Sequence, residues 1–84
     1  MIHANSLLIF PNPSPGNFKL TSGYKIKKGV VQVFNALGAT VFEEEIFNTS
    51  SMEIHLENIS SGIYFVKVMD EEKQYIQKLI KDQN

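Results

Sequence analysis

Short runs rich in Val, Ile, Phe and Tyr alternate along this chain with clusters of Gly, Pro, Asn and Ser, a rhythm that confines it to strands joined by tight turns. The runs cover residues 6–10, 16–21, 30–35, 40–47, 52–56, 63–69 and 73–81. Side chains on a strand repeat with period two, so Phe18 and Leu20, Val31 and Val33, and Ile54 and Leu56 each share a face and can point into one core. In the run 63–69, Tyr64, Val66 and Val68 take one face, and Ile63, Phe65 and Met69 take the other with Lys67. Apolar residues on both faces predict a central, well-covered strand.

Turns are expected at Pro11-Asn12-Pro13-Ser14-Pro15-Gly16, Ala36-Leu37-Gly38, Asn48-Thr49-Ser50-Ser51 and Ser60-Ser61-Gly62. The prolines fix φ and remove N–H donors, so the first strand must stop at Phe10. Residues 71–82 also place Ile76, Leu79 and Ile80 at helical spacing. A strand is favoured there, because Asp70-Glu71-Glu72-Lys73 can turn a hairpin that lays the last run beside 63–69. The expected fold is all-β, an antiparallel sandwich of about seven strands.

At 84 residues the chain holds one domain, and 43% hydrophobic against 20% charged residues makes it apolar enough to fold. A net charge of −1 gives no general attraction to nucleic acid or anionic lipid. Without cysteine, neither a disulfide framework nor a thiolate metal site can form. The apolar stretch from Leu7 to Phe10 falls short of a signal-peptide core of about 7 to 15 residues or a spanning helix of about 20, so no transmembrane segment is expected.

Chemistry finds little footing. His3 and His55 are the only histidines, and although Glu53 lies two residues before His55, a metal site needs three or four converging ligands. Glu43, Glu44 and Glu45 alternate between strand faces and fit a solvated edge strand. Lys25, Lys27 and Lys28 lack an alternating aromatic platform and read as a solvated loop. Asn48-Thr49-Ser50 and Asn58-Ile59-Ser60 match the N-x-S acceptor pattern and read as turns. No nucleophile elbow or phosphate-binding glycine loop occurs. The residues therefore predict no enzyme, cofactor, metal or small-molecule substrate.

Four blocks carry a resemblance. Leu8-Ile9-Phe10-Pro11-Asn12-Pro13 with Gly16-Asn17-Phe18 comes first, followed by the hairpin from Val31 to Val41 around Gly38. Leu56 then leads into Gly62-Ile63-Tyr64, and Lys78-Leu79-Ile80-Lys81 closes the chain. In this order, across residues 7–81, they resemble the type A C-terminal sorting domains of the type IX (Por) secretion system. Asn35 stands where Asp is common in that family, and Ala39 where Lys or Arg is common.

The resemblance implies an immunoglobulin-like sandwich in residues 7–84, with residues 1–6 a linker or the remnant of a junction with upstream cargo. It also implies that the cargo, attached in cis, crosses the inner membrane on a separate signal and passes through the periplasm. The translocon then recognises the folded domain, and a sortase-like peptidase at the cell surface of a Gram-negative bacterium removes it. Cleavage is expected in or before His3-Ala4-Asn5-Ser6. Asp82-Gln83-Asn84 would form the native end, with Met1 an introduced start.

Lys78, Leu79, Ile80 and Lys81 are the expected recognition residues, offering charge and an open strand edge, although Leu79 or Ile80 could equally close the core. Pro11, Asn12, Pro13, Gly16, Gly38, Gly62, Ile63 and Tyr64 are expected to be structural. A competing reading is an Ig-like or fibronectin-like binding or adhesive accessory module, for which a sugar-stacking Trp platform is missing. A structural spacer is the third.

Overall fold

The computed structural model describes residues 7–56 and 58–82. These form five strands: β1 (Leu7–Phe10), β2 (Asn17–Asn35), β3 (Thr40–His55), β4 (Gly62–Asp70) and β5 (Gln74–Lys81). The five strands pair antiparallel, in the order β1-β2-β4-β5 with β3 on β2, and Ser14 adds an isolated parallel bridge to Lys81.

Two strands are long enough to serve both layers of a sandwich. Residues 17–22 of β2 lie between β1 and the end of β3, while residues 29–35 lie between the start of β3 and β4. Midway the ladder breaks: Thr21 pairs Ser51, the next partners are Ile26 and Thr49, and residues 22–25 stand against Ser50 alone. Such a bulge bends and twists a strand, which lets the same ladder fold over onto its own inner face. Asn48 supplies the bend on β3 with a φ of 50°, a region that Asn tolerates better than most residues.

The seven expected runs are therefore five strands, because runs two and three are the ends of β2, and runs four and five the ends of β3. Asn48-Thr49-Ser50-Ser51 bends without reversing the chain, so no turn forms there. Lys25, Lys27 and Lys28 likewise lie on β2, exposed along the bent stretch, and not in a loop.

The inner faces meet in one core of Leu7, Ile9, Phe18, Leu20, Ile26, Val31, Val33, Ile46, Ile54, Leu56, Tyr64, Val66, Val68 and Leu79. All three pairs expected from alternation are in it. Tyr64 reconciles burial with its hydroxyl by donating to the carbonyl of Ser60 at 2.7 Å, the four-residue look-back of a tyrosine corner. Side-chain carbonyl or carboxylate oxygens tie both hairpins. Asn35 Oδ1 accepts from the N–H of Leu37 and Ala39 at 3.0 and 2.9 Å, and Asp70 Oδ1 from those of Glu72 and Lys73 at 2.8 and 2.7 Å. The second hairpin delivers the last run as a strand, as expected. Gly38 and Gly62 sit at hairpin and strand start with φ of 92° and 150°.

After β1 the chain leaves its sheet through Pro11–Pro15, with cis peptide bonds at Phe10–Pro11 and Asn12–Pro13. Ser14 is fully buried here; its hydroxyl donates to Asn17 O at 2.8 Å and accepts from Gly16 N at 3.0 Å. Gly16 follows at φ 128°, where a Cβ would stand 2.7 Å from the Leu56 carbonyl oxygen. That closeness lets Gly16 O accept from Leu56 N at 2.8 Å.

Candidate recognition surface

Alternation on β5 divides the four expected recognition residues. Leu79 is fully buried in the core, whereas Lys78 and Ile80 point outward from β5. Lys81 shares the face of Leu79, half-buried, with its ammonium 3.3 Å from the Asp82 carbonyl oxygen. The core-closing alternative thus holds for Leu79, and the four do not form one exposed surface.

The edge of β5 is also not open along its second half. Asn12 Nδ2 donates to Lys78 O and Asn12 Oδ1 accepts from Ile80 N, both at 2.9 Å. Ser14 continues the cover, donating to Ile80 O and accepting from Asp82 N, both at 2.8 Å. The expected pairing edge at 78–81 is thereby closed by the chain's own Pro-Asn-Pro-Ser segment, a recognised way of blunting an edge strand. Asn12→Ala should cost about 1 to 2 kcal/mol, for two hydrogen bonds of about 0.5 to 1.5 kcal/mol each with partial replacement by water. Urea denaturation would measure that loss, and hydrogen exchange would rise at the Ile80 amide.

What does face outward is a sheet surface. β4 is central, between β2 and β5, yet its outer side chains Ile63 and Phe65 are 45% and 37% exposed, so the strand is covered on one face only. Ile63 pairs with Ile80, and Phe65 with Phe34 on one side and Lys78 on the other. Lys67 pairs with Ile76, which is 59% exposed, and its ammonium sits 5.4 Å from the Phe34 ring centroid. At the far border, Glu43 and Glu45 lie opposite Gln32 and Val30, and Gln32 Nε2 donates to Glu43 Oε1 at 3.1 Å. Residue reasoning missed this patch because it treated both faces of β4 as covered; the paired positions of Ile76 and Ile80 on the next strand were the available signal.

On the other layer, His55 Nδ1 lies 3.0 Å from Asn17 Oδ1 and its Nε2 3.9 Å from Glu53. Among the described residues no group of three potential metal ligands converges. His3 and the expected cleavage region lie outside the described residues.

A third cluster joins the bulge of β2 to the β4–β5 turn. Tyr24 donates to Asp70 Oδ2 at 2.5 Å, meets the Tyr75 hydroxyl at 2.8 Å, and carries the Lys73 ammonium 5.8 Å from its ring centroid. Partial burial, then the hydrogen bonds to Asp70 and Tyr75, push the Tyr24 hydroxyl above its ordinary 10.0. In return the Tyr24 hydroxyl, followed by the Glu72 and Lys73 amides, holds the Asp70 carboxyl below its ordinary 3.8. A raised pKa stabilises the fold below the unfolded value and is lost on going above it; a lowered one stabilises above the unfolded value and is lost as acid protonates it. The melting-temperature gap between parent and Tyr24→Phe should therefore be widest from about pH 5 to 9 and shrink toward both extremes. A gap constant from acid to alkali would exclude this linkage.

A family model described as "Secretion system C-terminal sorting domain" matches residues 8–82. Ulvan lyase NLR42 of Nonlabens ulvanivorans is 36% identical over 77 residues, which are 89% of this chain and 14% of that protein. The crystal structure of a DUF3244 family protein from Bacteroides vulgatus, with an immunoglobulin-like β-sandwich fold, superposes with a TM-score of 0.76 at 13% identity. That alignment covers 93% of this chain and 86% of the other, a likeness of fold alone. With motif order, sandwich and family match coinciding from β1 to the end of β5, this chain belongs to the C-terminal sorting domains of the type IX secretion system.

Proposed function

We propose that this domain carries an upstream cargo protein from the periplasm across the outer membrane through the type IX machinery. A sortase-like peptidase at the cell surface then removes it, leaving the cargo secreted or surface-bound. The family match over residues 8–82 carries the reading. The partial coverage of the lyase supports it, since a segment that is 14% of a protein named for catalysis suits an appended tag. The domain's own role is non-catalytic, with the translocon, the peptidase and the cargo in cis as partners. Recognition runs through the outward side chains Lys78 and Ile80 with Lys81 at the strand end, while Leu79 anchors β5. Pro11, Asn12, Pro13, Gly16, Gly38, Gly62 and Tyr64 serve the fold, whereas Ile63, expected to be structural, lies outward on β4.

The test is a fluorescent reporter exported to the periplasm of a bacterium with type IX machinery, alone or followed by residues 1–84. Reporter outside the cells only with the domain supports the reading. Reporter retained in the periplasm beside a folded domain refutes it and brings forward the accessory-module reading. A Lys78→Ala/Lys81→Ala variant that melts like the parent but is not exported would support the recognition role of the lysines; normal export would remove it.

A further inference from the structure

We infer that the outer face of the β3-β2-β4-β5 layer is a self-association surface, on which two copies of this chain pack face to face about a two-fold axis parallel to the strands. An antiparallel sheet with one solvated face normally shows polar residues there. This face instead carries Ile63, Phe65, Ile76 and Ile80, each 36% to 59% exposed, with Phe34 between them. Aligned packing of two such faces is the ordinary way in which sheets bury apolar side chains against each other.

Charge selects a second copy as the occupant. On this face Lys67 and Lys78 lie on β4 and β5, Glu43 and Glu45 lie on β3, and Lys28 stands apart at the bend of β2, past Val30. A two-fold axis along the strands sets β5 of one copy over β3 of the other, and β4 over β2, so each copy's Lys67 and Lys78 approach its partner's glutamates. An axis across the strands would stack β5 on β5 and lysine on lysine. The long lysine stems can lie along the apolar surface while their ammonium groups reach the rim.

Four strands about 4.8 Å apart and seven residues rising about 3.4 Å each give a face of roughly 19 by 24 Å. That places the contact toward the low end of specific interfaces, so dimers should form in the micromolar range and exchange readily. Pairing covers Lys78 and Ile80, and on the function proposed above it would compete with export recognition through them.

Sedimentation equilibrium on residues 1–84 across the micromolar range tests the inference, with circular dichroism confirming that each variant is folded. The parent should show a monomer–dimer equilibrium, weakened at least tenfold by Phe65→Ser. Lys67→Glu/Lys78→Glu and Glu43→Lys/Glu45→Lys should each be monomeric alone and form heterodimers when mixed, because every repulsive contact then becomes attractive. A parent that stays monomeric throughout, leaving the face to some other partner, overturns the inference. So does a mixture of the two charge variants that fails to associate while the parent does.

Discussion

Leu79→Ala should leave the domain close to unfolding: its urea midpoint is expected to fall by about 1.3 M or more, since Leu→Ala in a core costs about 2 to 5 kcal/mol and urea acts at about 1 to 1.5 kcal/mol per M in a domain this small. The whole stability of an 84-residue domain is roughly 5 to 10 kcal/mol. Leu79 is the one fully buried residue that β5 places in the core, standing opposite Tyr64, so its loss leaves a cavity between the edge strand and the core aromatic. Leu79→Met, which keeps the volume, should cost less than about 1.5 kcal/mol. A midpoint for Leu79→Ala within about 0.5 M of the parent would show that β5 is not held by its core contact.

The same position decides how tail deletions should be read. Removing the residues after Gln77 takes away Leu79 together with the Ile80 and Asp82 amides that bond Asn12 and Ser14. Export lost on such a deletion would report unfolding as much as recognition. The paired lysine variant leaves Leu79 and the backbone clasp in place, and so separates the two.

Strand content and core membership were legible in the residues because period-two alternation is a local property. Phe18, Leu20, Val31, Val33, Ile54 and Leu56 are inside as their spacing implies. Strand number was not, because whether Asn48-Thr49-Ser50-Ser51 reverses the chain or only bends it depends on a partner distant in sequence, the bulged stretch 22–25 of β2. The Pro-Asn-Pro segment was legible as a strand stop, but its second role was hidden. Asn12 and β5 are separated by more than sixty residues, and nothing local to either shows that one caps the other. The recognition quartet divided for a simpler reason: neighbouring residues on a strand cannot share a face.

Gly29 is the sharpest case of a role that no local signal gives away, and Gly29→Ala should lower the melting temperature by about 10 to 20 °C. In a strand, Ala for Gly is ordinarily a gain, because glycine loses more conformational freedom on folding. Here β2 is paired on both sides, Gly29 with Ile46 and with Asp70, and an added Cβ would stand 2.5 Å from the Met69 carbonyl oxygen and 3.0 Å from Ile26 Cγ2. The carbonyl is backbone within a ladder, so relief means moving β4 against β2 at the point where the sheet starts its bend. Overpacking of this kind costs about 1 to 3 kcal/mol, and each kcal/mol shifts the melting of a domain this size by about 4 to 8 °C. Gly38→Ala is the control: its φ of 92° strains an L residue, but nothing lies within 4 Å of the new Cβ, so about 1 kcal/mol is expected. If Gly29→Ala melts at or above Gly38→Ala, the close approach of β2 and β4 at Met69 is not what requires glycine there.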